Sequence, residues 1–73
     1  MNRQRRIKVK KALVLIDQVR DILEEVLDEE QESFDNLPEG LQEGEKGERM
    51  QENIDTIEDF LDTLTETDLL EEM

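Results

Sequence analysis

The 73-residue chain contains no cysteine, no histidine, no tryptophan and no tyrosine. Without cysteine it can form neither a disulfide nor a thiolate metal site, and without histidine it lacks the commonest general base. Ser33 is the only serine, and no histidine is present to activate it. Gly40, Gly44 and Gly47 have neither the spacing nor the preceding strand of a phosphate-binding loop. We therefore predict a protein that is not an enzyme and that binds no cofactor and no metal.

Long apolar runs are also lacking. The longest, Ala12–Ile16, has five residues, whereas a membrane-spanning helix needs about 18 or more. The run is also too short for the apolar core of a signal peptide. We expect a soluble, intracellular protein without membrane contact.

Charge is abundant and unevenly distributed, with 42% charged residues and a net charge of −13. The basic segment Met1–Lys11 contains no acid and six cations: Arg3, Arg5, Arg6, Lys8, Lys10 and Lys11. Residues 12–73 contain 22 acids against three cations, a net charge of −19. The basic segment could bind nucleic acid or an anionic surface, dock on the acidic ends of its own fold, or remain a solvated tail. Its lack of aromatic residues disfavours direct nucleic-acid binding.

Apolar residues recur at helical spacing in two stretches. The first series has steps of 3, 4, 3, 4 and 3 and comprises Val9, Ala12, Ile16, Val19, Leu23 and Val26. The second has steps of 4, 3, 4 and 3 and comprises Met50, Ile54, Ile57, Leu61 and Leu64. Heptad spacing predicts two amphipathic helices, and no stretch alternates with the period of a strand. The predicted core residues are Ile16, Val19, Leu23, Val26, Ile54, Ile57, Leu61 and Leu64.

The only proline and all three glycines lie between these stretches. Pro38 cannot continue a helix and the residue before it resists helical angles, so helix 1 should end near 33–36. Gly44 is a plausible N-cap for the second helix, with Glu45 and Glu48 favourable in its first turn. The predicted organisation is a basic arm or helix start at 1–11, helix 1 at 5–33, a connection at 34–44 and helix 2 at 45–72. Alternatively, Thr67–Asp68 begins a separate final turn.

Helix 1 has more apolar residues than one partner helix can cover, namely Leu13, Leu15, Ile22 and Leu27 beside its predicted series. We therefore expect an all-α, antiparallel two-helix hairpin that self-associates as a homo-oligomer. The simplest assembly is a pair of hairpins forming a four-helix bundle.

The run EEVLDEEQESFDNLPEGLQEGEKGER, residues 24–49, resembles small helical proteins of phages, prophages and mobile elements. In that group an acidic helix ends in EEQE, followed by an FDN then LPE corner, LQ and a Glu-rich start of a heptad helix. The matching residues here are 29–32, 34–36, 37–39, 41–42 and the helix after Glu45. The chain departs from the pattern at Gly40, often Asn, and at Gly44, often Ser. The resemblance implies a mobile-element origin and a location in the cytoplasm of a bacterial host, but it assigns no activity and no site.

Carboxylates are the only plentiful functional groups. Two clusters, at 24–28 and 58–62, could hold Mg²⁺ as in all-α nucleotide hydrolases if their carboxylates faced the interior. However, we expect the apolar residues of the same segments to face the interior instead. A solvated acidic face is the simpler interpretation. The acidic row of helix 1 stacks like charges three or four residues apart: Asp17, Asp21, Glu24, Asp28 and Glu32. It is the predicted binding surface for a partner protein. Alternatively, the acidic helices act as a DNA mimic that blocks a host defence nuclease or another DNA-binding protein.

Overall fold

The structure is a computed structural model that describes residues 1–73. Helix α1 spans Arg3–Asp35, α2 spans Glu39–Gln42 and α3 spans Glu45–Thr63. A 3₁₀ turn, Leu64–Thr67, then leads into the short helix α4, Asp68–Glu71. No strand is present, so the predicted all-α class is confirmed.

Helix α1 contains 33 residues and begins two residues before its expected start, at Arg3. Asn2 is its N-cap, and the Asn2 side-chain Oδ1 accepts a hydrogen bond from the Arg5 backbone N–H at 2.9 Å. Such a cap satisfies one of the free amide groups at a helix start. The helix ends at Asp35, three residues before Pro38. The basic segment is therefore the first part of α1 rather than a separate arm.

The connection at 36–44 is partly helical. Pro38 precedes the four-residue helix α2, whose first turn it can begin because its fixed φ suits a helix start. No residue of the chain, including the three glycines, has a positive φ. Gly44 is the N-cap of α3, and Glu45 and Glu48 lie in the first turn of that helix.

Gly47 is fully buried at the start of α3. A Cβ at this position would overlap the carbonyl oxygen of Gln42 and lie 2.5 Å from its carbonyl carbon. The close neighbour of Gly47 is thus the backbone of α2. Glycine lets α2 and α3 pack together where any side chain would separate them.

The single helix expected over 45–72 is divided at Leu64. The side-chain hydroxyl of Thr63 donates to the Phe60 carbonyl at 2.6 Å, and that of Thr65 donates to the Asp62 carbonyl at 2.7 Å. Hydroxyl groups that bond to backbone carbonyls in this way disturb regular helical pairing. Residues 68–71 therefore form their own helix, as the Thr67–Asp68 alternative anticipated.

Helix α1 contacts α3, the 3₁₀ turn and α4. Two side chains show the order of these contacts. The Arg20 Nη2 donates to the Leu64 carbonyl at 2.8 Å, and the Gln42 Nε2 donates to the Phe34 carbonyl at 3.0 Å. Successive parts of α1 thus meet the rest of the chain in reverse order, in a molecule whose Cα atoms extend over 58 × 15 × 13 Å.

Candidate interaction surfaces

The half-buried residues of α1 define the face that contacts the rest of the chain. We call this face the intramolecular seam: Val9, Leu13, Ile16, Arg20, Leu23, Leu27, Glu30 and Phe34. Its steps alternate between 4 and 3, so it is a heptad seam, but it is only partly the one predicted. Val9, Ile16 and Leu23 belong to both series.

Val19 and Val26, predicted as core residues, do not lie in the intramolecular seam and are 41% and 39% exposed. Arg20 and Leu27 occupy the seam positions instead. Helix α1 has enough apolar residues for two adjacent seams, and spacing alone does not distinguish the seam that packs within the chain from one available for self-association. Phe34 could have distinguished the two seams in the sequence, because only the seam through Leu27 continues as far as Phe34.

The predicted core residues of the second helix do face α1. Ile54 is 1% exposed and is the only buried hydrophobic side chain of the chain. Ile57, Leu61 and Leu64 are half-buried. Eleven large hydrophobic side chains are exposed, so the chain leaves many of its apolar residues uncovered.

A second apolar heptad series lies on the outside of α1. We call it the exposed stripe: Ala12, Leu15, Val19, Ile22 and Val26. Its steps are 3, 4, 3 and 4, and Leu15 and Ile22 are 52% and 61% exposed. At 100° per residue its centre lies about 90° around the helix from the intramolecular seam.

Every member of the acidic row is exposed. By the same construction, the row is centred about 110° from the intramolecular seam and about 160° from the exposed stripe. Only Asp17 has an ion-pair partner, Arg20, at 3.8 Å. The acidic row and the exposed stripe therefore occupy nearly opposite sides of α1.

Helix α3 has the same division. Phe60, which is 48% exposed, lies on one side of the α3 face that contacts α1, together with Lys46 and Asn53. The acids lie on the other side: Glu48, Asp55, Glu58 and Asp62. Because α1 and α3 meet in reverse order, the Phe60 side of α3 adjoins the exposed stripe and the acids of α3 adjoin the acidic row. The molecule thus has one apolar, acid-poor side and one strongly acidic side.

The cations of the basic segment have no ion-pair partner in their own chain. The two ion pairs within 4.0 Å join Arg20 to Asp17 and Arg49 to Glu45, each within one helix. Residues 1–8 are all exposed. The hypothesis that this segment docks on the acidic C-terminal end of its own fold is therefore not supported by any ion pair.

The two carboxylate clusters considered as Mg²⁺ sites do not form a set of metal ligands. No group of three or more acidic side chains is arranged to hold a metal ion. The surface depressions lie elsewhere: one beside Lys46 and Met50, the other beside Leu64 and Leu69. Both are open, and neither is lined by a pair of acids that face each other across it.

No helix is both long enough and apolar enough to cross a membrane. Comparison of the chain with protein-family models, with curated proteins and with solved structures finds no match. The resemblance to small phage and mobile-element proteins therefore stays a prediction that rests on residues 24–49 alone.

Proposed function

We propose that this protein is a non-enzymatic interaction module of phage or mobile-element origin. Its chain acts as an antiparallel helical hairpin that self-associates, most simply into a four-helix bundle, and binds a partner protein through the acidic row. The observation that supports this proposal best is the imbalance of burial. One hydrophobic side chain, Ile54, is buried, whereas eleven large ones are exposed.

This imbalance matters because ordering a chain costs about 1.5 kcal/mol per residue, which apolar burial must offset. Covering one aliphatic side chain completely contributes about 1.5–3 kcal/mol. Small domains without disulfides or metals commonly gain the missing burial from another subunit. The exposed stripe offers that burial to a second copy.

The acidic row is the surface that such an assembly leaves open, because it lies on the opposite side of α1 from the exposed stripe. Like charges three or four residues apart destabilise a helix by a few tenths of a kcal/mol per pair. A row of five on one helix therefore opposes folding. Its retention in α1 is explained if a partner with a positively charged surface binds it.

Sedimentation of the pure protein at micromolar concentration tests the first part of the proposal. We expect dimers or larger assemblies, and a monomer would overturn self-association. The second part is tested by capturing partners from a host lysate with the tagged protein. We expect the triple variant Asp21→Lys, Glu24→Lys and Asp28→Lys to lose the captured protein.

The matched control is the triple variant Glu52→Lys, Asp59→Lys and Glu66→Lys. It makes the same change in net charge at three exposed acids outside the acidic row. Equal capture by the two variants would show that net charge, rather than the acidic row, binds the partner.

A DNA mimic is the second candidate, and the joint acidic side of α1 and α3 favours it. The net charge of −13 of the whole chain is distributed along 58 Å, or about one charge per 4.5 Å, against about 1.7 Å on duplex DNA. For this candidate we expect a captured nuclease or DNA-binding protein that dissociates at high salt. Retention of the partner at high salt would instead indicate an apolar contact.

A further inference from the structure

We propose that the exposed stripe is the contact surface of a two-fold symmetric homodimer in which the two α1 helices lie antiparallel and face each other at Val19. This inference rests on the self-association proposed above. It adds the face, the orientation and the register of the contact, none of which follows from the tendency to associate.

The face is selected by charge as well as by apolarity. Two copies that each have a net charge of −13 repel one another over most of their surface. The exposed stripe is the one apolar series on the outside of α1, and the side of α3 next to it presents Phe60 rather than acids. A two-fold axis places the same patch of both copies in contact, so a self-complementary patch is required. An apolar heptad series meets this requirement.

The orientation is selected by the charges that flank the exposed stripe. Before the stripe, on its side of α1, lie the cations Arg5, Lys8 and Lys11. The acids Glu25 and Glu29 flank the last residue of the stripe, Val26, and Glu30 follows at the edge of the intramolecular seam. An antiparallel pair places each group of cations beside the acids of the other copy. A parallel pair would place cations beside cations and acids beside acids, which repel.

The register follows from the symmetry of the stripe. Ala12 and Val26 each lie seven residues from Val19, so an antiparallel pair centred on Val19 brings the stripes into full overlap. Lys11 of one copy then lies level with position 27 of the other, between Glu25 and Glu29. Lys8 lies level with position 30. The cations that have no ion-pair partner in their own chain thus obtain partners in the second copy.

The first experiment measures the orientation directly. The chain has no cysteine, so a single Gln4→Cys variant can be spin-labelled at one position and the distance between labels measured by pulsed electron resonance. An antiparallel pair centred on Val19 separates the two labels by about 45 Å along the helices, at 1.5 Å per residue. A parallel pair would hold them at about 10–20 Å, the spacing of packed helices, and would overturn the proposal.

Disulfide formation tests the register. We expect Val19→Cys to cross-link two copies rapidly under mild oxidation, because residue 19 faces its own symmetry mate. The control is Asp21→Cys in the acidic row, which lies on the far side of α1 and should cross-link slowly. Equal rates for the two variants would overturn the proposed contact.

Charge exchange tests the flanking contacts. We expect the variant Lys8→Glu, Lys11→Glu to weaken dimerisation at least tenfold at low salt. Adding Glu25→Lys and Glu29→Lys to the same chain returns the net charge to that of the wild type, and we expect this fourfold variant to dimerise again. The control Arg6→Glu, Lys10→Glu changes the same charge on the side of α1 away from the stripe and should have a smaller effect. Failure of the exchange to restore binding would overturn the antiparallel pairing. A wild-type monomer would instead overturn the self-association beneath it.

Discussion

Replacing Gly47 by alanine separates helix propensity from tertiary packing at one position. Alanine is favoured over glycine in a helix by about 0.8–1 kcal/mol, so propensity alone predicts that the change stabilises the protein. The structure predicts the opposite. The new Cβ would overlap the Gln42 carbonyl oxygen and lie 2.5 Å from the carbonyl carbon and 2.7 Å from the Cα of Gln42.

The size of the effect follows from what must move. An ordinary contact needs at least 3.4 Å, so the backbone of α2 must retreat from α3 by at least about 0.9 Å at the Gln42 carbonyl carbon and by more at the overlapping carbonyl oxygen. Forcing extra atoms into a packed contact typically costs about 1–3 kcal/mol, and backbone cannot rotate away as a side chain can. Because backbone atoms must move, we take the upper part of this range, about 2–3 kcal/mol, and after subtraction of the propensity gain we expect a net loss of about 1–2 kcal/mol. For a chain of this size each kcal/mol shifts the Tm by about 4–8 °C.

Gly40→Ala is the matched control, because Gly40 is also helical and has no atom within 4 Å of the position of a new Cβ. We expect this variant to raise the Tm by a few degrees and Gly47→Ala to lower it by about 5–15 °C. Thermal unfolding followed by circular dichroism measures both, at one protein concentration because the Tm of an oligomer depends on concentration. If Gly47→Ala raised the Tm as much as Gly40→Ala does, the close approach of α2 and α3 would be refuted.

Three further substitutions test separate contacts. Ile54→Ala should lower the free energy of unfolding, measured by urea titration, by about 2–5 kcal/mol. Phe60→Ala should lower it by less than half as much, because Phe60 is exposed. Equal losses for the two variants would contradict the assignment of Ile54 to the core. Arg20→Gln should cost about 1–2 kcal/mol by removing the 2.8 Å bond to the Leu64 carbonyl, and it should accelerate amide hydrogen exchange in residues 64–71 more than in α2. Asn2→Ala should remove the cap of α1 at a cost of about 1 kcal/mol. The loss of helical structure should be local, so Cα chemical shifts should change in the first turn of α1 only. Unchanged shifts in that turn would contradict the role of Asn2 as its cap.

The C-terminal end of α1 and the start of α3 could be predicted because local chemistry fixes them, whereas the end of α3 at Thr63 was not predicted. Pro38 stops the first helix, and Gly44 with its following acids begins the next. The face of α1 that packs against the chain could not be predicted as well. Val19 and Leu27 belong to alternative heptad series about a quarter-turn apart, and only the position of α3 decides between them. Sequence pattern detects that a helix is amphipathic more readily than it locates the centre of a wide apolar surface.

Of the candidate surfaces, the exposure of the acidic row could be predicted from the sequence, whereas contacts between distant parts of the chain could not. Exposure of the acidic row follows from charge alone, because five carboxylates that share a single ion-pair partner are not buried. The role of Arg20 could not be inferred, because its acceptor exists only where α3 changes to a 3₁₀ turn, 44 residues away in sequence. The need for glycine at position 47 could likewise not be inferred, because it arises from the packing of α2 against α3.

The bond from Arg20 to Leu64 also limits the number of ways in which the chain can fold. A heptad seam repeats, so sliding α3 along α1 by seven residues replaces each apolar contact by another of the same kind and changes the energy little. A polar side chain at one seam position removes this degeneracy, because its partner occurs at a single place. Here the partner is the Leu64 carbonyl, at the point where α3 gives way to the 3₁₀ turn. The interruption of the helix therefore distinguishes one alignment of the two helices from its periodic alternatives.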